Sequence, residues 1–259
     1  MPAMGAATTR MGTTLMPMGI TTTTIMTMGT ARIPIPDLPV DDATLARLLN
    51  WLSPAFPTGG FAYSHGLEWA VQAGDVTDVA TLVDWIGDLL SCGSLRNDLI
   101  LVRAAWQARD GAALVSLTRI GCALASSRER WEETTRQGEA FLRGVAVWGV
   151  EIAGRGTPGV AWPLPVAHGA ALGACGAGEH HTLVASASAV TAGLVSAAVR
   201  LVPLGQTDAL RALAALERPI AAAVAATQGQ GIADLGGLCF RADLAAMHHE
   251  TQETRLFRT

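Results

Sequence analysis

This chain contains no lysine: all 18 of its basic residues are arginine. That absence excludes a Schiff base, a pyridoxal phosphate attachment and a Walker A loop, each of which needs a lysine amine. Charge of either sign is sparse, at 15% of residues against a usual quarter or so. The arginines are spread along the sequence rather than clustered, and the net charge is -4, a balance that argues against nucleic acid as a partner. The four cysteines, Cys92, Cys122, Cys175 and Cys239, stand far apart without a Cys-x-x-Cys pair. They fit neither a zinc framework nor a secreted disulfide scaffold, and read as small apolar residues in a reducing compartment. Alternating apolar and polar residues, the mark of a half-buried strand, are missing throughout.

What is present is apolar helix. Half of the 259 residues are hydrophobic and mean hydropathy is +0.33, more than a monomer of this size needs to fill its core, so other protein chains are expected to cover some of the surface. Residues 1–40 differ from the rest: seven of the eight methionines lie there among threonine runs, with no helical period, and the segment is expected to be a disordered or weakly structured tail. It lacks the unbroken apolar stretch of a secretory signal, and thioethers alone would need a fold to converge on copper. From Asp41 onward the period is helical. Asp41 or Asp42 caps a helix carrying Leu45, Leu48, Leu49 and Leu52; further segments fall at about 79–90, 96–109 and 111–125.

The longest amphipathic piece runs from about Arg128 to Arg155. Trp131, Thr134, Gly138, Phe141, Leu142, Val145, Trp148 and Ile152 form its buried stripe, and Glu132–Arg136, Glu139–Arg143 and Glu151–Arg155 are spaced for ion pairs on a solvated face. Leu183–Val199 is an uncharged run of 17 residues interrupted by Ser186, Ser188, Thr191, Gly193 and Ser196, better suited to close packing inside a protein than to crossing a membrane. An alanine-rich helix follows from Thr207 to about Thr227. Residues 228–259 then read as a glycine-rich flexible join and a C-terminal arm that orders on binding. The whole is expected to be all-α, a single-domain bundle of about eight to ten helices over 41–259.

Two stretches carry candidate chemistry. Ser53-Pro54-Ala55-Phe56-Pro57-Thr58-Gly59-Gly60 stops one helix, and Phe61, Tyr63, Ser64, His65 and Glu68 crowd the restart, with Phe61, His65 and Glu68 spaced to share a helical face. A proline and glycine corner ahead of an amphipathic helix is also ordinary architecture. Gly154-Arg155-Gly156-Thr157-Pro158-Gly159 matches G-x-G-x-x-G but follows a helix and contains proline, so it is read as a loop. His249-Glu250-Thr251-Gln252-Glu253 begins like a zinc-protease motif and lacks its second histidine. A helical metal-dependent hydrolase using His65, Glu68, His248, His249 and Glu250 is the enzymatic alternative; it requires those five to converge on a metal. His180–His181 and His248–His249 are adjacent pairs that chelate poorly on a helix, leaving surface contact or a weak nickel transit site as readings.

Residues 53–68 closely resemble the signature of the urease accessory protein UreF family. Val199-Arg200-Leu201-Val202-Pro203-Leu204-Gly205-Gln206 and Met247-His248-His249-Glu250-Thr251-Gln252 with Arg255-Leu256-Phe257-Arg258 resemble two more of its segments, and Ser127 to Gln137 is a looser match. The likeness spans about residues 42–259. It implies a helical, non-enzymatic, cytoplasmic protein without a cofactor or membrane association, which forms a homodimer, binds UreD (also called UreH) and with it recruits the GTPase UreG to deliver nickel to apo-urease. By position, Phe61, Tyr63, Ser64, His65, Glu68 and Gln206 would lie at dimer or partner surfaces. His249, Glu250, Gln252, Arg255, Leu256, Phe257 and Arg258 would form the arm that orders against UreD. Thr58, Gly60, Glu253, Thr254 and Thr259 depart from the family pattern; acidic Glu253 replaces an aromatic residue.

Overall fold

A computed structural model describes residues 41–259; the methionine- and threonine-rich segment, and the expectation of a disordered tail placed on it, lie outside the described residues. All regular structure among the described residues is helical. α1 (Asp42–Trp51), α2 (Leu67–Gln72), α3 (Val79–Ser91), α4 (Ser94–Gln107), α5 (Gly111–Ala123), α6 (Arg128–Val145), α7 (Leu164–Ala174), α8 (Glu179–Leu201), α9 (Gln206–Ala226) and α10 (Phe240–His249) are joined by loops that include three short 3₁₀ turns. Short polar side chains set four of the starts, of which the first, Asp41, was expected. Asp41 accepts from the Thr44 amide, Asp110 from Ala113 and Ser127 from Arg130, while Asp78 and Thr81 form a reciprocal capping box.

Two apolar clusters fill the bundle, and α4 divides them. Its Leu95, Leu99 and Val102 enter a cluster built from α2, α3, α8, α9 and α10. Its Leu101 and Ala105 enter a second, built from α1, α5, α6 and α7 around Trp51, Phe141 and Trp162. α4 packs closely on α7 because Gly169 presents no side chain: a Cβ there would lie 2.2 Å from the Val102 carbonyl oxygen. Arg103 of α4 is buried, and its guanidinium pairs with Glu179 at the start of α8 at 2.9 Å and donates to the Thr227 and Val224 carbonyls at the end of α9. One arginine thereby serves the unpaired groups of a helix end inside the fold.

α8 is the one described helix long and apolar enough to cross a membrane; half of its most apolar window is buried within the fold, against α9, α4 and α7. Three expectations are corrected. α6 ends at Val145 instead of Arg155: Gly149 turns left-handed at φ 73° after a 3₁₀ turn, and Arg155 folds back so that its Nη1 donates to the Leu142 carbonyl at 2.6 Å. Of its foreseen ion pairs only Glu132–Arg136 forms among the described residues, and Trp131 and Trp148 are exposed rather than part of a buried stripe. The restart after the proline and glycine corner is not one helix. A 3₁₀ turn, Gly60–Ala62, is followed by extended Tyr63, and α2 begins only at Leu67, so Phe61, His65 and Glu68 share no helical face.

Candidate functional site

The corner, the start of α2 and the C-terminal segment meet on the flank of α6. The chain reverses at His65 (φ 60°) and Gly66 (φ 78°), a left-handed pair that a histidine adopts only when its surroundings hold it there. The holding contacts are specific. The His65 amide donates to Thr259 Oγ1 at 3.1 Å, its Nε2 lies 2.7 Å from Ser94 Oγ, and its Nδ1 faces Glu133 at 3.7 Å. Gly66 is required for a second reason: a Cβ would stand 2.8 Å from the Ala246 amide of α10.

Turning the backbone in this way aims Glu68 inward. Its carboxylate accepts the Leu256 and Phe257 amides at 2.6 and 2.9 Å and lies 3.1 Å from His249 Nε2. His249 Nδ1 in turn lies 2.6 Å from Glu129, which also accepts Arg255 Nη1 at 2.6 Å. Glu250 accepts the Arg128 amide at 2.7 Å and so caps the start of α6. Thr259 Oγ1 donates to Glu133 at 2.7 Å, the Ser64 hydroxyl donates to the Thr259 carbonyl, and the Arg258 amide donates to the Ala62 carbonyl. Carboxylates accepting backbone amides are among the stronger hydrogen bonds in proteins. The ring of Phe257 enters the first apolar cluster beneath the Arg200 guanidinium, which is 4.2 Å from its centroid and donates to the Phe61 carbonyl.

Behind this clasp lies a cavity of about 410 Å³ between the corner, α6 and α8. His65, Asp98, Arg130, Glu133 and His168 supply its polar wall, and Phe56, Leu164, Val190 and Leu194 its apolar one. Burial raises the Glu133 carboxyl, but the Arg130 charge and the His65 hydrogen bond outweigh it and bring the pKa to about 2. Burial raises Asp98 to about 7 against the pull of Arg130, with Glu133 adding to the rise. Burial likewise lowers His65, helped by Arg130 and opposed by Glu133, and takes His168 down to about 3. His168 Nδ1 lies 2.8 Å from Ser186 Oγ, and both residues are buried, a pair that ties α7 to α8.

The residues singled out by sequence divide in two. Tyr63, Ser64, His65, Glu68, His249, Gln252 and Phe257 are buried within the chain, whereas Phe61, Gln206, Glu250, Arg255, Leu256 and Arg258 are exposed. The corner and tail residues converge; Gln206 opens α9 and takes no part in the clasp. Where an arm that orders on binding was expected, the C-terminal segment is seated on the chain's own α2 and α6, because Glu68, Glu129 and Glu133 supply acceptors for it. The hydrolase arrangement is not formed. Both ring nitrogens of His249 face carboxylates, His248 stacks on Trp69 at 4.9 Å between centroids, Glu250 is occupied with α6, and no three metal-ligating side chains converge among the described residues. The six-residue G-x-G-x-x-G match is a loop with left-handed Gly154 and Gly159. Sequence reasoning passed over Glu129, Arg130 and Glu133 by assigning the charged face of α6 to solvent, and gave Asp98 of α4 no role; the i, i+4 spacing of Glu129 and Glu133 was the available signal.

What this arrangement does chemically is position a chain segment. The exposed side of α10 carries Phe240, Leu244 and Met247 at i, i+4 and i+7, continued by Leu238, while Ala242, Ala245, Ala246 and His249 face inward. Residues 76–217, more than half of the chain, match the UreF family. The chain belongs to the UreF family. Curated UreF proteins agree over most of its length. It is 49% identical over 218 residues to the urease accessory protein UreF of Cereibacter sphaeroides, covering 84% of this chain and 99% of that one. The UreF of Bradyrhizobium diazoefficiens is 46% identical over 226 residues, covering 84% and 92%, and that of Methylorubrum populi 44% over 221 residues, covering 82% and 98%. Membership in UreF makes the chain a urease accessory protein and not an enzyme, in keeping with a site built to hold backbone.

Proposed function

We propose that this chain is a helical adaptor in urease maturation. In this reading it acts in the cytoplasm as a homodimer, binds UreD (UreH) and with it recruits the GTPase UreG. The assembly then inserts nickel, as cargo, into apo-urease when UreG hydrolyses GTP. Family membership supports the place in urease maturation, and the carrying observation for the adaptor role is the unpartnered apolar stripe of Phe240, Leu244 and Met247 on α10, continued by Leu238 before it. Exposed side chains of that size, side by side on one helix, are what a protein partner covers. Nucleotide chemistry falls to the partner, since a lysine-free chain has no P-loop.

In this proposal Phe61 and Leu256, exposed at either side of the clasp, and the outer polar groups of Arg255 and Arg258 join the partner surface. Buried Ser64, His65, Glu68 and His249 hold that surface in shape. The test is capture of purified UreD by the full chain. Phe240→Glu combined with Met247→Glu is expected to weaken capture at least about tenfold, since two buried apolar side chains are worth several kcal/mol, with an unchanged circular dichroism spectrum. Undiminished capture by that variant would remove α10 from the interface, and turnover of a substrate by the isolated chain would overturn the adaptor reading.

A further inference from the structure

The junction between α3 and α4 meets the start of α10 at two cysteines. Cys92 ends α3 and is exposed; Cys239 precedes α10 and is buried. Their backbones run against each other on both sides. A Cβ on Gly93 would stand 2.8 Å from the Cβ of Cys239, and a Cβ on Gly237 would stand 2.6 Å from the Cys92 carbonyl oxygen. The register is pinned, because Arg96 donates to the Asp234 and Gly236 carbonyls at 3.1 and 3.0 Å and the Gly236 amide donates to Asn97 at 3.1 Å. Burial raises the Cys239 thiol above its ordinary value, against the Ala242 backbone hydrogen bond, and neighbouring Cys92, Asp88 and Asp243 add to the rise, so its attack draws on a minor thiolate fraction. Both cysteines flank the N-terminal end of the 14-residue α4, and Arg96 stands in the first turn of that helix.

We propose that Cys92 and Cys239 form a reversible disulfide, a thiol switch that fastens the start of the C-terminal segment to the α3–α4 junction. The oxidant is a low-molecular-weight disulfide. Exposed Cys92 reacts first: its thiolate attacks one sulfur of the small disulfide, forming a mixed disulfide and expelling one thiolate. The Cys239 thiolate then attacks Cys92 Sγ, forming the internal bond and expelling the second. Two protein thiols are oxidised, the small disulfide is reduced to two thiols, and the two protons leaving the cysteines go to the thiolates released. Cys122 and Cys175 belong to other parts of the bundle, so the reaction is confined to one pair. The inference stands apart from the adaptor reading, because it concerns only the chain's own thiols.

The experiment treats the full chain with glutathione disulfide and follows free thiols by Ellman titration and cross-links by peptide mapping under non-reducing conditions. The expected result is a fall from four reactive thiols to two, counted in denaturant after the glutathione disulfide has been removed, a single Cys92–Cys239 linked peptide, and recovery of all four on reduction. Cys92→Ser and Cys239→Ser should each abolish the linked peptide. Cys239→Ser should leave glutathione on Cys92, which separates loss of the partner thiol from loss of the fold. Glutathione retained on Cys92 in the unsubstituted chain, a link through Cys122 or Cys175, or four unreacted thiols would each overturn the proposal.

Discussion

At the scale of single residues, Asp98 and Glu133 pull the pH dependence of stability in opposite directions. Glu133 is held at about 2, below its ordinary 4.5, so its contribution is complete above pH 4.5 and is lost as pH falls toward 2. Asp98 is raised from 3.8 to about 7. The folded chain therefore keeps a proton there that the unfolded chain gives up, and stability declines as pH rises from about 4 through 7. Asp98→Asn mimics the protonated side chain. Its advantage over the parent in urea denaturation is expected to grow by about 1–3 kcal/mol between pH 5 and pH 8; an advantage that does not change between the two would show that Asp98 carries no such cost. Neither effect could be read from sequence. Asp98 and Glu133 are 35 positions apart, and only the fold brings their charges onto one cavity wall. Glu68, by contrast, was singled out from its motif, although the reason for it was hidden: it receives amides 188 and 189 positions away.

At the scale of elements, the sequence disclosed which segments are helical and, at Asp41, how the first of them starts, because caps and apolar period are local. It failed where a helix end depends on a distant residue. Arg155 was taken as the end of α6 on spacing, but it turns back to cap the carbonyl of Leu142. Glycines in helices likewise look alike in sequence and differ in place. A Cβ on Gly138 of α6 would lie 2.0 Å from the Trp162 carbonyl oxygen, at the contact with the start of α7, whereas one on Gly87 of α3 meets nothing within 4 Å. Gly138→Ala must push two backbones apart and is expected to cost at least about 2 kcal/mol. Gly87→Ala only removes backbone freedom from the unfolded chain and is expected to gain roughly 0.5–1 kcal/mol. Thermal melts of the two variants check both signs. If Gly138→Ala were neutral, the close approach of α6 to the α7 entrance would be unnecessary to the packing.

At the scale of the whole molecule, the C-terminal segment joins the two halves of the bundle without adding a helix between them. α2 belongs to the apolar cluster that contains Phe257, and α6 to the one that contains Trp51 and Phe141. Residues 249–259 reach both, through Glu68 on one side and Glu129 and Glu133 on the other. Phe257 is the one large apolar side chain the segment places in a core and its other links are polar, so the segment is expected to open while α3, α4 and α9 stay folded, a partial unfolding of lower free energy than the global one. Glu68→Gln tests this division. It keeps the shape of the side chain but replaces the charge that accepts two amides, and charge-assisted bonds are worth about 1.5–3 kcal/mol each. Amide exchange at Leu256 and Phe257 is expected to quicken at least about tenfold, which corresponds to about 1.4 kcal/mol of opening free energy, while amides inside α3 and α9 keep their protection. Uniform acceleration across all helices would mean instead that the clasp and the two cores unfold as a single unit.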